Sequence, residues 1–222
     1  MSSPVSADQE PTQRIWKCGC GKIQLKLMGD PTIAPTNCHC HSCVAFGRYL
    51  DEKYNANNNK EYTSGIVHEN NNGGSCATFF LPNQVEEITE LTANQFGIVR
   101  IGPKGKEVRK YCKCCGTPLG VIDNSLWALN RNAIYETEDD QSGGTTKKYV
   151  PADPPPLNGN KKYAFDPSKV PEPNHNMAPL TVLLKFVKIL LNPFGPTTDK
   201  DLLERVKNTE DTVVEEVPIT WE

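Results

Sequence analysis

The sequence predicts a mainly β domain followed by a partly helical C-terminal extension, and three observations carry that expectation. Short apolar runs bounded by Gly and Pro recur through the first part of the chain, as in Ile23-Gln-Leu25-Lys-Leu27 with its period of two. Eight of the nine cysteines fall into close groups, Cys18-Gly-Cys20, Cys38-His-Cys40-His-Ser-Cys43 and Cys112-Lys-Cys114-Cys115, with Cys76 apart from them. Beyond residue 135 the composition shifts to acidic, Gly- and Pro-rich chain, then to an amphipathic helical pattern, and over Asp199 to Glu222 to a short polar helix and an acidic tail. These shifts divide the chain into a polar N-terminus (1–13), a cysteine-bearing domain (14–135), a linker or strap (136–178) and an extension with an amphipathic helix (179–222).

Within the domain, the elements follow one another in order. Arg14-Ile15-Trp16-Lys17 leads into the first cysteine pair, where Gly19 and Gly21 free the backbone to turn tightly. The alternation over 23–27 is the return strand of that hairpin, stopped by Gly29-Asp30-Pro31. Pro35-Thr36-Asn37 places the central cysteine triplet on a loop, with a short helical turn after it over Val44-Ala45-Phe46-Gly47. Residues 51–74, rich in Asn and ending in Gly73-Gly74, read as an inserted surface loop. A buried strand follows at Cys76–Leu81, stopped by Pro82, and Val85–Ile88 continues as a short helix or strand. Phe96–Ile101 and Lys106–Tyr111, joined at Gly102-Pro-Lys-Gly105, form a hairpin that delivers Cys112, and Leu119–Ile122 and Leu126–Leu129 complete the strands.

In the extension, Thr181, Lys185, Lys188 and Asn192 form a narrow polar stripe on an otherwise apolar helix between Pro179 and Pro193. Its apolar face is expected to dock on the domain or on a second copy, giving a homodimer. Membrane-surface attachment is the alternative, for which two lysines give little electrostatic help.

Composition excludes several classes. The 222 residues suffice for one sizeable domain with appendages. With 24 Lys and Arg against 27 Asp and Glu, the formal charge is -3 and no nucleic-acid partner is expected. The first ten residues lack the basic and apolar regions of a signal peptide, and no apolar run approaches the roughly 20 residues of a membrane span. The expected location is therefore cytoplasmic. In that reducing compartment an odd number of cysteines at C-x-C and C-x-x-C spacing points to metal ligation rather than disulfides.

If the first and last cysteine groups meet, they supply four thiolates and leave Cys38, Cys40 and Cys43 with three. Four protein ligands define a structural zinc, and three with a vacant position define a catalytic one. The alternative for the triplet is a second closed site with His39, His41 or Cys76 as the fourth ligand.

Taken together, Cys18-Gly-Cys20-Gly21, Cys38-His-Cys40-x-x-Cys43, Gly74-Ser75 before a strand ending in Pro82, and Tyr111-Cys112-x-x-Cys115-Gly116-Thr-Pro118-Leu resemble the glutathione-dependent formaldehyde-activating enzyme family, which includes centromere protein V. The resemblance spans residues 14–130. It implies a zinc-bearing, mostly antiparallel β-tent, with Cys18, Cys20, Cys112 and Cys115 holding a structural zinc and Cys38, Cys40 and Cys43 the zinc at the active site. Cys76 and Cys114 are extra to that pattern, and Cys114 sits where it could replace a neighbouring ligand.

The activity so implied is that of a zinc-dependent carbon–sulfur lyase or adduct-forming enzyme, joining a small aldehyde such as formaldehyde to a thiol such as glutathione. A trithiolate zinc activates water poorly but receives a soft thiolate well. His39 and His41 are candidate catalytic proton carriers for the hemithioacetal oxygen, or donors that fix the loop. Arg48, Arg100 and Arg109 are candidates for glutathione's carboxylates, or residues of a solvated strand edge. Two other readings remain: a zinc-dependent lyase or dehydratase tailoring a larger metabolite, and a non-catalytic, zinc-stabilised binding module. The binding module lacks the basic tail that a chromatin partner requires.

Overall fold

The computed structural model describes residues 14–55, 73–101, 107–122 and 126–137, the shorter stretches 146–148, 157–159, 166–172, 174–175, 180–190 and 215–217, and residues 161, 164 and 202. The expectations for 1–13, most of the Asn-rich segment, the turn at 102–105 and most of the acidic tail lie outside the described residues.

The described chain is mainly β. In order come β1 (Arg14–Lys17), β2 (Gln24–Leu27), β3 (Ile33–Cys38), helix α1 (His41–Asn55), β4 (Ser75–Phe80), β5 (Val85–Glu87), β6 (Phe96–Ile101), β7 (Glu107–Cys112), β8 (Pro118–Ile122), β9 (Trp127–Asn130) and β10 (Ile134–Thr137). After them come β11 (Thr146–Lys148), β12 (Leu157–Gly159), β13 (Asn174–His175), helix α2 (Leu180–Leu190) and β14 (Glu215–Val217). The strands form a five-stranded sheet, ordered β11-β10-β1-β2-β5, and a nine-stranded sheet, ordered β13-β12-β3-β4-β9-β8-β7-β6-β14. The hairpins expected from alternation and turn residues are present as β1–β2 and β6–β7, both antiparallel. The segment left between helix and strand is β5, preceded by a 3-10 turn at Pro82–Gln84.

The main core lies between the sheets. Trp16, Leu25 and Leu27 come from the smaller one, and Phe80, Phe96, Leu119, Trp127 and Leu129 from the larger, all essentially closed to solvent. The larger sheet is also covered on its other face by α1, whose Phe46, Leu50 and Tyr54 meet Val99, Ile101 and Tyr111. Being covered twice is why β6 is apolar at successive rather than alternate positions.

Two expectations are corrected here. The loop expected to carry the whole triplet is only the short step from Cys38, which ends β3, to α1, and the Pro35–Asn37 stretch before it lies inside β3, which takes a register irregularity between Ile33 and Thr36 in its pairing with β4. Pro35 falls inside that irregularity, where a missing N–H costs no ladder bond. The short helical turn predicted after the triplet is the 15-residue helix α1.

Pieces of the 136–178 segment add strands: β11 pairs with β10, and β12 runs parallel to β3, with Gly159 opposite Cys38. On α2, Ile189 packs beside Ile33 and Leu126, while Leu180, Leu183, Leu184 and Val187 are exposed. No described helix is long and apolar enough to cross a membrane.

Candidate metal centres and the adjoining cavity

The first centre joins the β1–β2 turn to the β7–β8 turn. Gly21, at φ +77°, lets its amide donate back to the Cys18 carbonyl at 2.8 Å, and the Ile23 amide donates to Cys18 Sγ at 3.3 Å. Across the gap, the Cys112 carbonyl accepts from the amides of Cys115 and Gly116, and the Gly19 amide donates to Thr117 Oγ1 at 2.8 Å. Both turns thus aim sulfurs at one point.

The sulfurs of Cys18, Cys20, Cys114 and Cys115 all lie within 4.8 Å of one another and can hold a metal ion. This set differs from the sequence expectation, which places Cys112 where the structure places Cys114. The turn begun by the Cys112 carbonyl carries Cys114 round to 3.3 Å from Cys20 Sγ, while Cys112 ends β7 fully buried in the inter-sheet core. Cys112 still shares hydrogen bonds with Cys18 and Cys114, so five thiols crowd the centre. Hydrogen bonds from Cys112, Cys114 and Cys115 hold the Cys18 thiol far below its ordinary value. Burial, the largest influence on Cys20, pushes that thiol up to about 11.

The second centre is built on the β3–α1 junction. Cys38 ends β3, Cys40 precedes the helix and Cys43 lies in its first turn, with the three sulfurs mutually within 4.8 Å. The Cys40 carbonyl accepts from the Val44 amide at 3.1 Å, so Cys40 is the residue that caps α1. Its Sγ lies 3.3 Å from both Cys43 Sγ and Ser42 Oγ. Hydrogen bonding with the Cys38 and Cys43 thiols, then with Ser42 and the Cys43 backbone, holds the Cys40 thiol far below its ordinary value despite its burial. The same bonds push Cys38 and Cys43 up, and for Cys43 burial adds to the rise while the Arg109 charge opposes it. A helix N-terminus favours a thiolate for the same reason that it favours other anions.

Three converging soft sulfurs, one already disposed to ionise, suit zinc or another thiophilic ion. Among the described residues no histidine, carboxylate or further cysteine joins the three within that spacing. The expected fourth ligands fall outside that spacing in this arrangement. Cys76 donates from Sγ to Asn130 Oδ1 at 3.2 Å, and His41 opens α1. The buried His39 has its ring against Gly74 and its amide donating to the Gly159 carbonyl at 2.9 Å. A side chain at Gly74 would stand 2.5 Å from the Cys38 carbonyl and 2.6 Å from that ring, so only glycine permits this approach.

Against Cys43 opens a cavity of about 60 Å³, lined also by Phe46, Ser75, Cys76, Arg109, Val121 and Asn130 among others. His39 and His41, named from sequence as proton carriers, are not among its lining residues. Ser75 Oγ donates to Cys43 Sγ at 3.0 Å, and Arg109 Nη2 donates to Cys43 Sγ at 3.7 Å and Ser42 Oγ at 3.4 Å. Ser42 and Asn130 have no role assigned from the sequence, and Ser75 figures only within the Gly74-Ser75 pair of the resemblance. Ser75 had a signal, since it follows the Gly-Gly pair that starts β4.

No protein-family model matches the chain, and no curated protein matches it.

Proposed function

We propose that the chain is a zinc-dependent carbon–sulfur lyase or adduct-forming enzyme, acting on a small aldehyde and a thiol such as glutathione. In the same proposal the two sheets form a β-tent, the Cys18 centre holds a structural ion and the Cys38, Cys40 and Cys43 centre a catalytic one. The observation that carries this reading is the incomplete triad: three sulfurs, no fourth protein ligand among the described residues, and a cavity opening directly beside Cys43.

A zinc ion held by Cys38, Cys40 and Cys43 would supply a Lewis acid able to receive an incoming sulfur or oxygen. The remaining work falls to the chain. Ser75 and Arg109 stabilise the Cys43 sulfur as an anion, keeping it a ligand, and the apolar side of the cavity keeps water from competing with the thiol. The sulfur of the thiol bonds to the aldehyde carbon, the carbonyl electron pair moves to oxygen, and the thiol's proton ends there. With formaldehyde and glutathione the product is S-hydroxymethylglutathione, and the reverse reaction is a carbon–sulfur cleavage. Holding both reactants in one cavity supplies the rate through proximity.

The test is exchange NMR with ¹³C-formaldehyde and glutathione. The zinc-loaded chain should speed interconversion of aldehyde and adduct above the spontaneous rate, and Cys40→Ser should return it to that rate. Equal exchange with and without protein would reject this substrate pair.

A further inference from the structure

Five thiols crowd the first centre, and a tetrahedral zinc uses four. Zinc–sulfur bonds of about 2.3 Å set the sulfurs of such a site roughly 3.8 Å apart. Cys18 Sγ lies 3.6 Å from Cys20 Sγ and 3.9 Å from Cys114 Sγ, which in turn lies 3.3 Å from Cys20 Sγ and 3.8 Å from Cys115 Sγ. That quartet already has the dimensions of a loaded site, so Cys112 is the surplus thiol. Its side chain shares hydrogen bonds with Cys18 and Cys114, two members of the quartet.

The surplus thiol differs from its neighbour on the same turn. Cys112 is closed to solvent, whereas Cys114 is partly exposed, so an electrophile arriving from solvent meets Cys114 first. Cys112 is also fixed through its backbone, its amide donating to the Thr117 carbonyl at 2.9 Å and its carbonyl accepting from Gly116 at 2.8 Å. Its sulfur therefore stays beside the centre whatever happens to Cys114. Zinc imposes no directional preference of its own, so a thiol held that close can occupy a position another vacates.

We propose that Cys112 and Cys114 are alternative holders of one position on this ion: Cys114 ligates at rest and is the site of modification, and Cys112 replaces it once it is alkylated. In the exchange the Cys114 sulfur leaves the ion and bonds to the electrophile's carbon, whose leaving group departs with the electron pair of its bond. Cys112 gives its proton to solvent as its sulfur binds, so the ion keeps four thiolates and an unchanged charge. Cys115 keeps its own place, with Sγ 3.1 Å from Thr117 Oγ1. The metal joining the β1–β2 and β7–β8 turns thus survives attack on its solvent side. This concerns the first centre alone and does not depend on the activity proposed for the triad.

The test is ¹¹³Cd NMR of the full chain with cadmium in place of zinc, since correlations from the ion to cysteine β-hydrogens name the ligands one by one. The wild type should show Cys18, Cys20, Cys114 and Cys115 on the first ion. Cys114→Ser should show Cys112 in place of Cys114, and so should wild-type chain treated with iodoacetamide until peptide mass spectrometry finds Cys114 labelled. A Cys112 correlation already present in the untreated wild type would overturn the proposal. So would three cysteines alone on the first ion in Cys114→Ser, or release of that ion in step with Cys114 labelling. The wild-type spectra, before and after labelling, decide the matter even if the serine variant does not fold.

Discussion

Cys40 is the residue whose chemistry is most exposed to test. It caps α1 and shares hydrogen bonds with two thiols, a hydroxyl and an amide, which together favour its thiolate. These bonds pull its pKa down while those of Cys38 and Cys43 are pushed up, so in the metal-free protein the thiolate should form at Cys40 ahead of the other two. Iodoacetamide should then label Cys40 ahead of Cys43 by peptide mass spectrometry, an order that equal labelling would contradict. Cys40→Ser should lose one metal equivalent and shift the thermal transition by only a few degrees. Cys115→Ser should prevent folding. Structural zinc supplies roughly 10–16 kcal/mol of binding free energy, as much as the total stability of about 5–15 kcal/mol of an ordinary domain. The cysteine groups themselves were legible in the sequence, because ligand spacing is a local property. The choice of Cys114 over Cys112 was not, since it depends on how one turn carries its sulfurs past another. Arg109 was one of three candidates for the same reason: strand alternation puts it on a face with Tyr111, but only the covering helix makes that face a wall of the site.

The helix α1 is the element that makes the second centre possible. Phe46, Leu50 and Tyr54 recur every fourth residue and bury themselves against β6 and β7, a stripe visible in the sequence once helix length is granted. Gly47 and the Asn-rich stretch that follows made that length hard to anticipate. At its far end Lys53 Nζ donates to the hydroxyls of Tyr49 and Tyr111, both at 2.9 Å, and Tyr54 Oη donates to the Lys113 carbonyl at 3.0 Å. Leu50, closed to solvent, ties the middle of the helix to the sheet. Leu50→Ala should cost about 2–5 kcal/mol and weaken metal binding at the triad, because Cys43 moves with the helix. A melting curve beside a metal titration checks this, and an unchanged titration would mean that Cys43 is held without α1. Gly74→Ala should act at the triad directly, from the strand side. It presses on the Cys38 backbone carbonyl and the His39 ring, neither of which can yield cheaply, so the triad should lose affinity for its ion and the melting temperature should fall with it.

Across the whole molecule, β7 and α1 link the two centres. β7 carries Arg109 at the triad and Cys112 at the first centre, and α1 carries Cys43 at one end and Tyr54 at the other. Loss of the first ion should therefore disorder the second site, whereas loss of the second should leave the first intact. Acid should show this order. Thiolate ligands bind metal only when deprotonated, so binding releases protons and the stability it confers falls as pH falls. Followed by zinc release and circular dichroism, acidification should free the first equivalent before the sheets unfold and the second together with unfolding. A single concerted release would contradict this. The hydrophobic pattern made the mainly β class legible, but not the strands that residues 146–148, 157–159 and 215–217 add, which are too short to carry a period of their own. The most direct measurement is anomalous diffraction at the zinc edge on crystals of the metal-loaded chain. The account predicts a second peak among Cys38, Cys40 and Cys43, with those three sulfurs as the only protein ligands and solvent or an added thiol in the fourth position. A fourth ligand from the protein there, or no peak at all, would contradict it.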